Sequence, residues 1–318
     1  MVASRPLRLA FFGTPAFAIP TLEALVASPH VIAGVVTQPN RPRGRGQRPS
    51  EGPVKSFARD IGVPVLQPDR LRDEAFLDQL ATLDLDLGVV AAYGKILTEA
   101  VLAIPRLGMI NVHASLLPRY RGAAPVHRAI IAGEEVTGVT IMRVVKALDA
   151  GPMLAEVRRP IDPNETSDQV ERDLARAGAA LLVSTIDALV EGRVQERTQD
   201  DSQSSYAPRL TRDEGRIDWH WPAERIHNLV RGLHPWPHAF TFLGDRRIIL
   251  LRSAWSAEPP ASAMPGTVVE ALGDRLLVAA GSGTLQILEI QSEGKRPMTT
   301  RDFLAGHPIA PGERVGAP

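Results

Sequence analysis

Short apolar runs alternate with helically spaced apolar residues through the first 110 positions of the chain. Residues 7–12 form one run and stop at Gly13-Thr14-Pro15; residues 18–27 follow with Ile19, Leu22, Leu25 and Val26 at helical spacing. Further strand candidates lie at 31–37, 62–66, 85–92 and 109–113. Helix candidates lie at 50–61, with Val54, Phe57 and Ala58 on one face, and at 73–80. Strands alternating with helices predict βαβ units and a mostly parallel sheet. Continuous apolar strands are what a sheet covered on both faces requires.

After Gly133 the pattern changes. Stretches 136–145 and 153–160, joined by 146–152, read as an antiparallel pair added to the sheet. Thr166 with Gln169 three residues on is a capping box, and the helix behind it carries Val170, Leu174, Leu181, Leu182, Ile186 and Leu189 before Gly192 stops it. Residues 193–208 are polar and nearly free of aliphatics, and read as an interdomain linker. Beyond them a short helix at 222–231 precedes five short strands at 239–243, 247–255, 266–271, 275–279 and 284–291, with glycine-containing turns. That grammar predicts a small barrel, OB-like in size. The expected fold class is therefore α/β: a Rossmann-like, mostly parallel sheet domain at 1–192, a linker at 193–208, and an OB-like β-barrel domain at 209–318.

Composition narrows the chemistry. The 318 residues contain no cysteine, which excludes disulfides, thiolate metal sites, iron–sulfur clusters and a thiol nucleophile. No apolar stretch approaches the length of a membrane span, and a cytoplasmic protein is expected. Nothing in the sequence calls for an obligate interface, so a monomer is expected. Lys and Arg (36) balance Asp and Glu (36), so any contact with a polyanion must come from a local patch. Residues 41–55 supply one: Arg41, Arg43, Arg45, Arg48 and Lys55 against Glu51, a local charge of +4 in a Gly- and Pro-containing segment without core formers. Such a segment suits a phosphate backbone, although its composition equally fits a plain solvated loop. From residue 209 onward, 13 bases meet 12 acids, so the barrel brings almost no net charge.

Two polar groupings stand out. In a strand, residues two apart share a face, so Asn111 and His113 project together from the C-terminal end of the 109–113 strand. In open α/β sheets ligands sit at that end. An amide beside an imidazole can stabilise a developing oxyanion and shuttle a proton; the same pair can also simply satisfy a loop backbone. Asp149, in Leu148-Asp149-Ala150-Gly151, is placed to orient His113, yet Asp before a turn glycine is commonplace. Elsewhere, His234 and His238 are four apart, but Pro235 and Pro237 forbid a regular helix between them, so no metal site is expected. Trp219, Trp221, Trp236 and Trp255 read as core or interdomain packing rather than stacking platforms.

Asn111-x-His113, followed by Ser115-Leu116-Leu117-Pro118-x-Tyr120-Arg121-Gly122 and by Leu148-Asp149-x-Gly151, resembles the 10-formyltetrahydrofolate-dependent formyltransferases. The resemblance implies that Asn111, His113 and Asp149 are the catalytic trio, and that Ser115, Leu116, Leu117 and Pro118 are a folate-binding stretch. Phe12-Gly13-Thr14-Pro15, Thr37-Gln38-Pro39, Gly44-Arg45-Gly46, residues 92–97, Ile217-Asp218-Trp219 and Pro235-Trp236-Pro237 are similar to members that formylate initiator methionyl-tRNA. In that light Arg41, Arg43, Arg45 and Arg48 are the expected tRNA contacts. 10-Formyltetrahydrofolate is the implied cosubstrate, and no metal is implied. Direct attack by the α-amine needs no covalent enzyme intermediate, which suits a chain without cysteine. Two positions depart from the family pattern, Ala147 where Gly is usual and Pro152 where Asp is frequent. Three rivals share some of these features: formyl transfer to a small amine (a purine nucleotide or a nucleotide-linked amino sugar), hydrolysis of the folate to formate, and an RNA-binding module without catalysis. The basic segment and the extra domain disfavour the first, because a small acceptor requires neither.

Overall fold

A computed structural model describes residues 5–43, 48–258 and 263–316. The chain falls into two compact units, one of Met1–Pro125, Thr137–Arg159 and Glu171–Ala207, the other of Val126–Val136, Pro160–Val170 and Pro208–Pro318.

The first unit is built on β1 (Arg8–Gly13), β2 (Val31–Val36), β3 (Arg41–Arg43), β4 (Arg48–Ser50), β5 (Val65–Leu66), β6 (Leu87–Ala91), β7 (Met109–His113), β8 (Arg121–Gly122), β9 (Val136–Arg143), β10 (Met153–Pro160) and β11 (Tyr206–Ala207). Seven of these form one sheet in the order β10-β9-β7-β6-β1-β2-β5. The pairs β2–β5, β1–β2, β1–β6 and β6–β7 are parallel, whereas β9 runs antiparallel to β7. The expected parallel sheet with an appended antiparallel pair is thus the observed one.

The strands end close to where the apolar runs end. After Arg8, β1 carries no polar side chain and is buried from Leu9 to Gly13 because both faces of the sheet are covered. The helices α1 (Ile19–Val26), α2 (Pro53–Asp60), α3 (Glu74–Ala81) and α4 (Glu99–Leu102) cross between strands. The helix expected from residue 50 starts only at Pro53, with Gly52 as its N-cap. Proline suits the first helical turn, where its missing N–H costs nothing. α6 (Ser167–Val190), which belongs to this unit from Glu171 on, lies against β7 and β9, whereas α5 (Pro125–Ile131) falls almost wholly in the second unit. Gly178 lets α6 press onto the sheet: a Cβ there would lie 2.8 Å from Val112 Cγ1 of β7. Only half of the capping box forms. Gln169 Oε1 accepts from the Thr166 N–H at 2.9 Å, but the Thr166 hydroxyl bonds the Asp168 and Gln169 side chains instead of a helical N–H.

The basic segment departs from a plain loop. Arg41–Arg43 pairs antiparallel with Arg48–Ser50, making a hairpin stem. Arg45 lies outside the described residues.

The second unit carries α7 (Ala223–Gly232), β12 (Ala239–Leu243), β13 (Arg246–Ser256), β14 (Val268–Leu272), β15 (Arg275–Ala279), β16 (Thr284–Ser292), β17 (Met298–Thr299) and α8 (Thr300–Gly306). Its antiparallel sheet runs β12-β13-β16-β15-β14, with β17 beside β16. The chain's last described residues bond to both edge regions: the Gly316 N–H reaches Phe242 O at 3.0 Å and the Val315 N–H reaches Gly266 O at 2.8 Å. A final segment bonded at both edges gives the sheet its barrel character. Residues 160–170 are tied into this unit by buried polar groups. His227 Nε2 lies 2.8 Å from Pro163 O, and the Arg231 guanidinium donates to Asp162 O and Glu165 O. Burial pushes the His227 imidazole below its usual range.

Of the four tryptophans, only Trp219 is fully in a core, its Nε1 donating to Thr241 Oγ1 at 2.9 Å. Trp236 and Trp255 are 50% and 39% exposed, which corrects the expectation that they would pack. Trp236 stands between two prolines, in a turn outside any helix or strand.

Candidate active site

The strand order reverses between β1 and β6, and the carboxyl ends of β1, β6 and β7 border that switch point. Crevices of open α/β sheets form there. The first unit lines it with polar groups: the Gln38 amide donates to Tyr93 O at 2.7 Å, and the Thr14 hydroxyl bonds the same carbonyl at 3.3 Å. The Tyr93 ring packs edge-on against Phe12, and burial pushes its phenol up to about 12.

Asn111 and His113 stand on one face of β7, between Val90 of β6 and Met142 and Thr140 of β9. Asn111 is half-buried, and its amide makes no hydrogen bond to the described residues. His113 is 5% exposed and held on both sides. Its Nε2 lies 3.0 Å from Tyr120 O, and its Nδ1 lies 3.7 Å from Asp149 Oδ2. The Tyr120 carbonyl can only accept, so Nε2 donates to it, while the Asp149 carboxylate faces Nδ1 beyond hydrogen-bond distance.

Asp149 sits in the loop between β9 and β10 with a left-handed backbone, φ 48°. Its Oδ2 also accepts the Gly122 N–H at 2.8 Å. Gly151 is required here by space: a Cβ would lie 1.9 Å from Arg143 O. Pro152, the residue that departs from the family pattern, contributes only its carbonyl, which accepts the Arg143 N–H at 2.9 Å.

The Ser-Leu-Leu-Pro stretch forms a self-bonded turn after β7. Ser115 is fully buried and its hydroxyl donates to Arg119 O at 2.7 Å. Thr140 Oγ1 donates to Ser115 O and accepts the Leu117 N–H. Leu117 packs with Met142 and Met153. Leu116 and Pro118 remain half-exposed and are the members of the stretch with apolar surface to offer a ligand.

Sequence reasoning missed three participants. Tyr120 and Gly122 act through backbone atoms, which carry no residue-type signal. Gln199 lies in the segment read as a linker, yet its amide donates to Asp149 O and Gly151 O, both at 2.8 Å. Residues 193–207 belong to the first unit, and β11 pairs in parallel with β8. Among the described residues no group of three or more His, Asp or Glu is placed to hold a metal ion, and no helix is long and apolar enough to cross a membrane.

A parallel-dominated sheet carries Asn111 and His113 at a strand end with Asp149 beside them, in an α/β chain that continues into an antiparallel β-unit. Residues 7–186 match the family model described as formyl transferase, and residues 209–308 match formyl transferase, C-terminal domain. The chain belongs to the formyl transferase family. It is 46% identical over 317 residues to the methionyl-tRNA formyltransferase of Heliobacterium modesticaldum, covering 98% of this chain and 100% of that one. It is 47% identical over 308 residues to the methionyl-tRNA formyltransferase of Pelobacter propionicus, covering 97% and 96%. Among solved structures, the N-formyltransferase of Helicobacter canadensis in complex with folinic acid and dTDP-3-aminofucose has the same fold. Its TM-score is 0.69 at 17% identity, over 90% of this chain and 99% of that one. HypX of Aquifex aeolicus in complex with tetrahydrofolic acid matches with a TM-score of 0.64 at 13% identity. That match covers 99% of this chain, which spans about half of the HypX chain.

Proposed function

We propose that this chain transfers the formyl group of 10-formyltetrahydrofolate to the α-amino group of methionyl-initiator tRNA. The observation that carries the reading is near-full-length identity of 46% and 47% to chains named methionyl-tRNA formyltransferase, on a chain that carries Asn111, His113 and Asp149. Initiator tRNA is charged and used in the compartment where translation takes place, so the proposal carries a cytoplasmic setting, with the chain acting as a monomer.

An unperturbed α-amine titrates near ~8, so a usable neutral fraction exists at neutral pH. Its nitrogen attacks the formyl carbon, the C–N bond forms, and the carbonyl oxygen becomes an oxyanion. Asn111, with its amide uncommitted, donates to that oxyanion. His113 is the second donor, exchanging Tyr120 O for the oxyanion as charge develops. Asp149 holds the imidazole ring through this exchange and relays the amine's surplus proton towards folate N10. Collapse of the tetrahedral carbon breaks the bond to N10, which leaves carrying the proton, and the formyl group stays on the amine. Half-exposed Leu116 and Pro118 offer the folate an apolar shelf beside β7. Arg41, Arg43, Arg45 and Arg48 provide the charge that a tRNA backbone needs.

Incubation of the full chain with 10-formyltetrahydrofolate and methionyl-initiator tRNA should yield formyl-methionine after hydrolysis of the ester. Formylation of a nucleotide-linked amine alone, or release of formate without an acceptor, overturns the reading.

A further inference from the structure

We infer that Gln199 is a positioning residue that fixes the backbone of the Asp149 loop and so aims the Asp149 carboxylate at His113; this rests on the reading of Asp149 given above. Gln199 is 8% exposed, and its amide is used at both ends. Nε2 donates to Asp149 O and to Gly151 O, each at 2.8 Å. Oε1 accepts from Arg121 Nε at 3.0 Å and from Arg121 Nη2 at 2.7 Å.

The arginine fork settles which way the amide faces. A flipped amide would set its NH2 against the guanidinium and its oxygen against two carbonyls. The two carbonyls it binds flank Ala150, so one side chain pins the turn on both sides of its tip. The turn needs such holding, because Asp149 has φ 48° and a non-glycine residue there persists only where its surroundings enforce it.

The same arginine leads into the second grip. Gly122, next to Arg121, gives its N–H to the Asp149 carboxylate at 2.8 Å. The Gln199 segment then returns along this strand. The Arg121 N–H donates to Ser205 O at 2.9 Å, the Ala123 N–H to Ala207 O at 2.9 Å, and the Tyr120 N–H to Ser205 Oγ at 2.8 Å. The circuit is closed: residues 199–207 hold both the segment that supplies Tyr120 O to His113 and the loop that supplies Asp149. Glutamine suits this place because a neutral amide gives two donors to carbonyls and one acceptor to arginine from a single planar group.

Gln199→Glu tests this in the full-length chain. It preserves the size and the pairing with Arg121, removes both donors, and sets a carboxylate oxygen against two carbonyl oxygens. Gln199→Met preserves the size and removes every polar contact. For both, kcat for formyl transfer should fall on the order of 10²-fold, while KM for folate and for tRNA stays within about twofold. Hydrogen exchange at the Gly122 amide should quicken by about tenfold or more, with the amides of β1 and β6 unchanged. A kcat within about twofold of wild type for Gln199→Glu overturns the inference. A loss carried by KM for tRNA, or failure of both variants to fold, overturns it in favour of a purely structural role. If the unaltered chain transfers no formyl group, the proposed function fails, and the Gly122 amide still decides the clamp: faster exchange supports it and unchanged exchange overturns it.

Discussion

His113 Nε2 stands 3.0 Å from the carbonyl oxygen of Tyr120, and this contact sets the orientation of the ring before any substrate is bound. With Nε2 turned to that carbonyl, Nδ1 is left facing Asp149 at 3.7 Å. Asn111, two residues earlier on the same face of β7, carries no comparable commitment. The two side chains therefore have different parts to play: Asn111 is ready to donate, and His113 must exchange one acceptor for another.

Asn111→Ala should lower kcat by about 10²–10³-fold, the cost of losing one oxyanion donor, with tRNA affinity retained. Asp149→Asn keeps an oxygen for the Gly122 N–H but removes the charge facing His113, and should also lower kcat severely. Steady-state kinetics beside a filter-binding assay check both. Near-wild-type kcat in either variant removes that residue from the chemistry.

Arg45→Ala should weaken productive use of tRNA and leave folate KM unchanged. Each lost phosphate contact lowers the slope of log affinity against log salt by roughly 0.7–0.9. A salt titration of kcat/KM for tRNA reads this directly, and an unchanged slope assigns no phosphate to Arg45.

Stability should fall on the acid side. Burial holds His227 below its ordinary value of 6.5, as it does His30 and His238. The unfolded chain then binds protons that the folded chain refuses, so stability is complete above about pH 6.5 and declines as pH falls through the lowered native values. Thermal melts from pH 7.5 to 5 should show the decline. In His227→Gln it should be shallower, with His30 and His238 supplying what remains. An identical pH slope in variant and wild type overturns the assignment to His227.

Gly151→Ala places a Cβ where Arg143 O already lies, 1.9 Å away, so the Asp149 loop must move. The expected cost is about 1–3 kcal/mol of stability, as for other overpacked sites. Activity should fall by more than that loss explains, because Asp149 moves with the loop. A variant with normal kcat and melting temperature shows that the loop tolerates displacement.

Much of the molecule was readable along the chain. Period and run length marked the strands 109–113, 153–160, 239–243 and 275–279 to the residue. Strands 109–113, 239–243 and 275–279 are mainly apolar and at least partly buried in a sheet, so local pattern and tertiary packing agree; 153–160 carries Glu156, Arg158 and Arg159 and is largely half-buried. Asn111 and His113 were legible as a polar pair on one strand face, but only the resemblance to the formyltransferase motif singled out Asp149 and joined the three. The two-residue strands β8 and β11 were not, since a pair of residues has no period to detect.

The sequence by itself determined the class of each unit, the absence of thiol chemistry, the placement of excess positive charge in residues 41–55, and the polar trio. These depend on residue identity and on local spacing, except that Asp149, in a loop distant from β7, joined the trio through the family motif. Only the tertiary structure decided what holds the trio together. The partners of His113 and Asp149 include the Tyr120 carbonyl and the Gly122 N–H, and every residue but proline carries such groups. Gln199 is 50 residues from Asp149 and sits in a polar stretch that, judged by composition, is a linker. Hydrogen bonds over such separations follow from how the sheet brings distant segments together, which local pattern does not encode.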